Sequence, residues 1–220
     1  MMRSLIFNGA GAGTGETNLI ALMEGETVLA VEILSGRGAS ERFAPAVRKL
    51  LEQCGDSELP GQVIAVVGPG SFTGLRASLS LAAGLARGWG CPAKGVRLGD
   101  ALREMAHSPQ ALCVCLARRG RVFIDSPDRE LRAAPVEDLK ELQTSILLGD
   151  AVYGADSLAE CVGEDGILRR PDIRILPFAA PDALGIYRAA CKAMSLPLMP
   201  LYVDPPEARP PSMGLRPAPV

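Results

Sequence analysis

What the sequence lacks narrows its chemistry first. The 220 residues contain a single histidine, His107, so a two-histidine metal site and a histidine triad beside an independent metal are both excluded within the chain. Its six cysteines include no Cys-x-x-Cys pair. Cys113 and Cys115 alternate along the strand-like "ALCVCLA", while Cys54, Cys91, Cys161 and Cys191 are scattered. A chain of this size needs no disulfide staples, so the thiols read as reduced and mostly buried. Charge of one sign is also missing: 23 Lys and Arg against 25 Asp and Glu leave a net charge of -2. No global field draws in nucleic acid, and any RNA contact is expected to be local or arranged by partners. No run approaches the roughly 18 apolar residues of a membrane span. The opening "MMRSLIFNGAGAG" falls short of a secretory core. The expectation is a cytoplasmic protein without membrane association.

What is present is an ordinary globular composition, 48% hydrophobic, long enough for a sizeable core in one domain or two small ones. Short apolar runs predict strands near Arg3 to Phe7, Asn18 to Met23 and Thr27 to Leu34. Phe43, Val47, Leu50, Leu51 and Cys54 recur at helical spacing, predicting a helix from about Ser40, with Ser40 as its N-cap. A strand at Val63 to Val67, a glycine-rich loop and a helix from Thr73 to Arg87 follow. The order then loosely repeats. A helix is expected near Asp100 to Ala106, a hairpin of Ala111 to Ala117 with Arg121 to Asp125 across "RRGR", and a helix near Val136 to Gln143. The strand "SILLG" and helices near Asp156 to Val162 and Pro181 to Met194 complete it. The basic "RRGR" turn is either a solvated tip or an RNA contact. This order predicts an α/β fold of two similar lobes with mixed sheets. The expected divisions are a lobe over residues 1–99, a smaller lobe over 100–195 and a proline-rich extended tail over 196–220.

Two glycine-rich stretches invite a phosphate-binding reading. "FNGAGAGTGET", with Gly9, Gly11, Gly13 and Gly15, is followed by strand-like "TNLIALM" and lacks the P-loop lysine. A helix N-terminus is what aims backbone N–H groups at phosphate, so a long hairpin turn accounts for it better. "GPGSFTGLR" does lead into a helix: Gly68 and Gly70 free the backbone, Pro69 stiffens it, and Ser71 or Thr73 can cap the first turn. Arg76 sits in that first turn against the helix dipole, which predicts a carboxylate or other anionic partner. Behind it Ala77, Ser80, Gly84 and Gly88 form a stripe of small residues. Gly84 costs about 1 kcal/mol relative to alanine, offset where something packs on bare backbone. That something is either another element of the same domain or another subunit. "AHSP" around His107 reads as helix end or surface, and the carboxylates of "SPDRELRAAPVEDLKEL" form no recognisable pair.

At Gly68, Pro69, Gly70, Ser71, Phe72, Thr73, Gly74, Leu75 and Arg76 the sequence resembles the TsaB (YeaZ) family of partner proteins in tRNA N6-threonylcarbamoyladenosine synthesis. "FAPAVRKLLEQCG", "LARRGRVF" and "PLYVDPPEA" follow the family's order. The resemblance implies an actin/Hsp70-like (ASKHA) two-lobe fold in a non-catalytic subunit. Its partners would be the catalytic TsaD and the ATPase TsaE, or a second copy when alone, with tRNA reached only through the complex. It implies no cofactor bound by this chain alone, with any ATP or ADP held at the partner interface. The implied interface includes Phe72, Ala77, Ser80, Leu81, Gly84 and Gly88. The chain departs from the pattern at Asn8-Gly9, where an Asp-Thr pair is usual, at Leu116 in place of an acid beside the retained Arg118, and at Asp204 in place of an arginine. Loss of carboxylates that would hold metal and water weakens a case for ATP hydrolysis. Two other readings are an ATP-dependent phosphotransferase of the same fold and a peptidase. The single histidine argues against the second.

Overall fold

A computed structural model describes residues 2–11, 17–36, 38–53, 59–128, 130–142, 144–154, 158, 171–192 and 195–203. Two five-stranded mixed sheets organise the chain. The first is built from β1 (Arg3–Asn8), β2 (Asn18–Glu24), β3 (Thr27–Leu34), β4 (Gln62–Gly68) and β5 (Ala93–Arg97), in the order β3-β2-β1-β4-β5. The first three strands form an antiparallel meander, and β4 and β5 join β1 in parallel. The first glycine-rich stretch spans the β1–β2 hairpin, since Asn8 pairs opposite Leu19, though residues 12–16 lie outside the described ones. The pairing of β1 with β2 makes this stretch a hairpin connection, with no helix N-terminus among its described residues.

Between the strands run α1 (Phe43–Gln53) and α2 (Phe72–Trp89). The expected start of α1 is corrected. Ser40 lies inside a 3-10 turn, Ala39–Arg42, whose N-cap is Gly38, and no side chain caps it. Helix α2 is amphipathic in the expected way: Leu75, Ser78, Leu79, Ala82 and Ala86 are its buried face. Gly90 ends it in the left-handed conformation, its N–H returned to Ala86 and Arg87.

The chain next forms α3 (Leu98–Met105) and the second sheet: β6 (Leu112–Leu116), β7 (Arg121–Asp125), β8 (Leu131–Pro135), β9 (Ile146–Leu148) and β10 (Arg174–Ile175). Their order is β10-β9-β6-β7-β8. The "RRGR" hairpin forms, with Arg119 and Gly120 both at positive φ. The stretch Val136–Glu141 is a 3-10 helix rather than the expected α-helix. The helix expected near Asp156 to Val162 falls almost wholly outside the described residues. Of the cysteines, Cys113 and Cys115 are buried, Cys91 is half-buried and Cys191 is exposed, while Cys54 and Cys161 lie outside the described residues.

Every residue of β4 is buried, which requires cover on both faces and explains its unbroken apolar run. Helix α2, in contact with α1, packs on it, and so does α4 (Ala183–Lys192), in contact with α3. The two sheets therefore divide near residue 99, but the helices do not: α3 spans that point, and α4, late in the chain, returns to the first sheet. An ion cluster at the same junction joins the halves. Asp125 of β7 is bonded by Arg97 at the end of β5 (3.1 Å) and by Arg103 of α3 (3.2 Å), and Arg103 also holds Asp100 (2.9 Å). The two-lobed α/β architecture with mixed sheets is the actin/Hsp70-like arrangement expected above.

Candidate functional site

The loop Gly68–Ser71 begins where the central strand ends and α2 starts. Ser71 caps the helix, its hydroxyl accepting from the Gly74 N–H at 3.3 Å. Thr73, the other candidate cap, is exposed inside the first turn. The loop is then pinned from the β1–β2 side: the Ser71 N–H donates to the Ala10 carbonyl at 2.8 Å. Glycine is demanded here by space. A Cβ on Gly70 would stand 2.2 Å from the Ala10 oxygen, and one on Gly74 would stand 2.3 Å from the Gly9 oxygen. The glycines of the two loops thus meet backbone to backbone, and the signature is an interlock between β1's exit and the start of α2.

Asn8 serves the same interlock. Its amide donates to the Thr17 carbonyl at 2.8 Å, and its oxygen accepts from the Ala10 N–H at 3.1 Å. The cleft between the sheets, lined by Asn8, Gly70, Leu98, Cys115, Asp150 and Ala180 among others, leaves about 10 Å³, room for about one water. Asp150 is engaged there by the Leu116 N–H at 2.7 Å. Cys115 is not a ready nucleophile. Its contact with Cys113, Sγ to Sγ 3.4 Å, together with burial, pushes its thiol well above the ordinary range. His107 is exposed just past α3. Among the described residues no group of three or more His, Cys, Asp or Glu is placed to hold a metal.

Outside the cleft, α2 presents its opposite face. Ser80, Gly84 and Gly88 are exposed, and Ala77 and Leu81 are half-buried. A Cβ added at Gly84 or Gly88 would meet nothing within 4 Å. Among the described residues, no other element of the chain packs on this bare backbone. Nor does Arg76 meet the expected anionic partner among the described residues. Its partners are aromatic: the guanidinium lies 3.8 Å from the Phe72 ring centroid and 5.6 Å from that of Tyr202, and its Nε donates to the Tyr202 hydroxyl at 2.7 Å.

Tyr202 was not foreseen as part of this site. It arrives on a strap, Leu196 to Val203, that crosses the end of the first sheet. Leu196 bridges Gly95 through paired backbone bonds of 2.7 and 3.2 Å, and the Leu201 N–H donates to the Val67 carbonyl at 2.7 Å. The proline-rich composition was legible as extended chain, but where it docks was not. Asp204 and the rest of the tail lie outside the described residues.

The fold and its loop define a two-lobed protein of the actin/Hsp70-like class. Comparison with known proteins narrows this. The profile of the family described as "TsaD: tRNA N6-adenosine threonylcarbamoyltransferase" matches residues 33–129. Among solved structures, YeaZ from Pseudomonas aeruginosa superposes with a TM-score of 0.66 at 19% identity, over 92% of this chain and all of that one. An uncharacterized protein with similarity to peptidase YEAZ from Pseudomonas aeruginosa gives 0.68 at 18%, over 93% of this chain and all of that one. No curated protein matches the sequence. The chain has the YeaZ fold over 92–93% of its length, and these likenesses support the TsaB (YeaZ) resemblance carried by Gly68–Arg76.

Proposed function

We propose that this chain is a non-catalytic partner subunit in tRNA N6-threonylcarbamoyladenosine modification, docking a TsaD-type catalytic subunit through the outer face of α2. One observation carries the reading: Gly84 and Gly88 expose helix backbone that nothing among the described residues packs against. Gly84 within a helix costs about 1 kcal/mol relative to alanine, and no contact among the described residues offsets that cost. Close approach of a second chain supplies one. The interlocked glycine loops fix where α2 begins, and so fix the angle at which that face is offered.

The chemistry of the interior agrees with a supporting role. Asn8 stands where a carboxylate is usual in the resembled family, and contact with Cys113 together with burial pushes the cleft cysteine's thiol well above its ordinary range. The interlobe space thus gives no support to the phosphotransferase reading, and a lone exposed histidine gives none to a peptidase.

The test is light scattering on size-exclusion eluate of this chain, alone and mixed with the TsaD subunit of the same organism. A mixed species that disappears with Gly84→Leu supports the reading. Formation of the modified base by this chain alone, from threonylcarbamoyl-adenylate and tRNA, overturns it.

A further inference from the structure

The outer face of α2 carries charge of one sign only. Between Phe72 and Trp89 there is no acidic residue, and the two cations, Arg76 and Arg87, are both exposed. They are eleven residues apart, close to three full turns, so they stand on one side of the helix about 16 Å from each other. Neither pairs with a carboxylate among the described residues. Arginines elsewhere do: Arg48 with Glu52, Arg97 and Arg103 with Asp125, and Arg188 with Glu26.

Arg76 is also held ready. A free arginine loses considerable side-chain freedom on engaging a ligand, but this one is already stacked on Phe72 and bonded through Nε to Tyr202. That arrangement spends the Nε donor and leaves the terminal nitrogens without a hydrogen bond among the described residues. A prepared planar fork of this kind suits a carboxylate.

We propose that Arg76 and Arg87 are paired anion-reading contacts of the docking face. The partner they fit presents carboxylates about 16 Å apart, and Tyr202 of the C-terminal strap is the residue that positions Arg76. The proposal rests on the docking role above and adds the chemistry of the partner. It also disfavours a second copy in the same place. Antiparallel pairing of α2 with itself about Ser80 and Gly84 brings Arg76 of one chain to Arg87 of the other, like charge to like.

The experiment is calorimetric titration of the full-length chain into the TsaD-type subunit at low and high salt. Arg76→Gln and Arg87→Gln should each weaken binding about tenfold with unchanged melting temperature, and the double variant should lose most of the salt dependence. Tyr202→Ala should weaken binding severalfold, while Arg76→Lys, which keeps charge without the planar stack, should fall between wild type and Arg76→Gln. If Arg76→Glu and Arg87→Glu bind as tightly as wild type, the acidic-partner inference fails while the docking reading stands. If wild type does not bind at all, both fail. If Gly84→Leu abolishes binding while Arg76→Gln and Arg87→Gln bind as wild type at both salt concentrations, the face docks through its bare backbone alone and the proposal is overturned.

Discussion

Gly74 lies with its backbone against the carbonyl of Gly9, so near that a side chain on it would have to occupy the oxygen's own space. The contact joins the first turn of α2 to the exit of β1 across 65 positions of sequence. The two loops therefore support each other at this contact.

Gly74→Ala and Gly70→Ala should each destabilise the fold by about 1–3 kcal/mol, the cost of forcing atoms into a packed site that cannot yield. Here the obstacle is backbone at both positions. Urea unfolding at constant slope checks it, and stability equal to wild type would show the interlock to be looser than described.

Gly84 should behave in the opposite way. With nothing within 4 Å of its Cβ position, Gly84→Ala should stabilise the isolated chain by up to about 1 kcal/mol through helix propensity. Gly84→Leu should leave its melting temperature near that of wild type while abolishing the mixed complex. A residue whose replacement helps the free protein and harms the assembly is retained for the assembly. Loss of stability in Gly84→Ala would return the stripe to an internal packing role.

Much of this could be read in the sequence, and the failures share a cause. Period and turn residues marked β1 to β4, β6, β7 and the major helices within a few positions. The sheet-edge strand β5 escaped because "AKGVR" carries Lys94 and Gly95. Gly95 is there for close approach, since a Cβ would stand 2.6 Å from Val67 and 2.7 Å from the Pro197 carbonyl. Edge strand β8 escaped because "LRAAP" is mostly half-exposed and so looks solvated. Arg76 was legible as a residue needing a partner. Tyr202 was not legible as that partner, because a contact across 126 positions leaves no local pattern.

Asp125→Ala should cost about 3 kcal/mol or more, since it strands Arg97 and Arg103 in a buried setting; both arginines are under a tenth exposed. Burial pushes the Asp125 carboxyl above its ordinary range, against the pull of Arg103 and Arg97. A raised carboxyl pKa in the folded state means that the folded chain holds the proton more tightly. The stability from this group is therefore complete below the ordinary aspartate pKa and is lost as pH rises through the raised value. Wild type should lose stability relative to Asp125→Asn over that interval, measured by urea melts at a series of pH values. A wild type that gains stability relative to Asp125→Asn as pH rises would reverse the sign and refute the assignment.

Ser71→Ala should cost about 1 kcal/mol, the ordinary value of a lost N-cap. It should weaken partner binding by no more than that loss of order at the start of α2 implies. Thermal unfolding and the same titration separate the two effects. A drop in affinity with full stability would make Ser71 a contact rather than a cap.

Helix α4 closes the first sheet from residues 183–192, and its Ile186 and Ala189 are part of the first sheet's core. During synthesis that core therefore stays open on one side until residues 183–192 have left the ribosome, although domains generally fold as they emerge. A fragment ending near residue 99 would expose the underside of β4 to water and aggregate rather than fold. The chain commits to its shape late, and a truncated product has no finished lobe with which to occupy a partner.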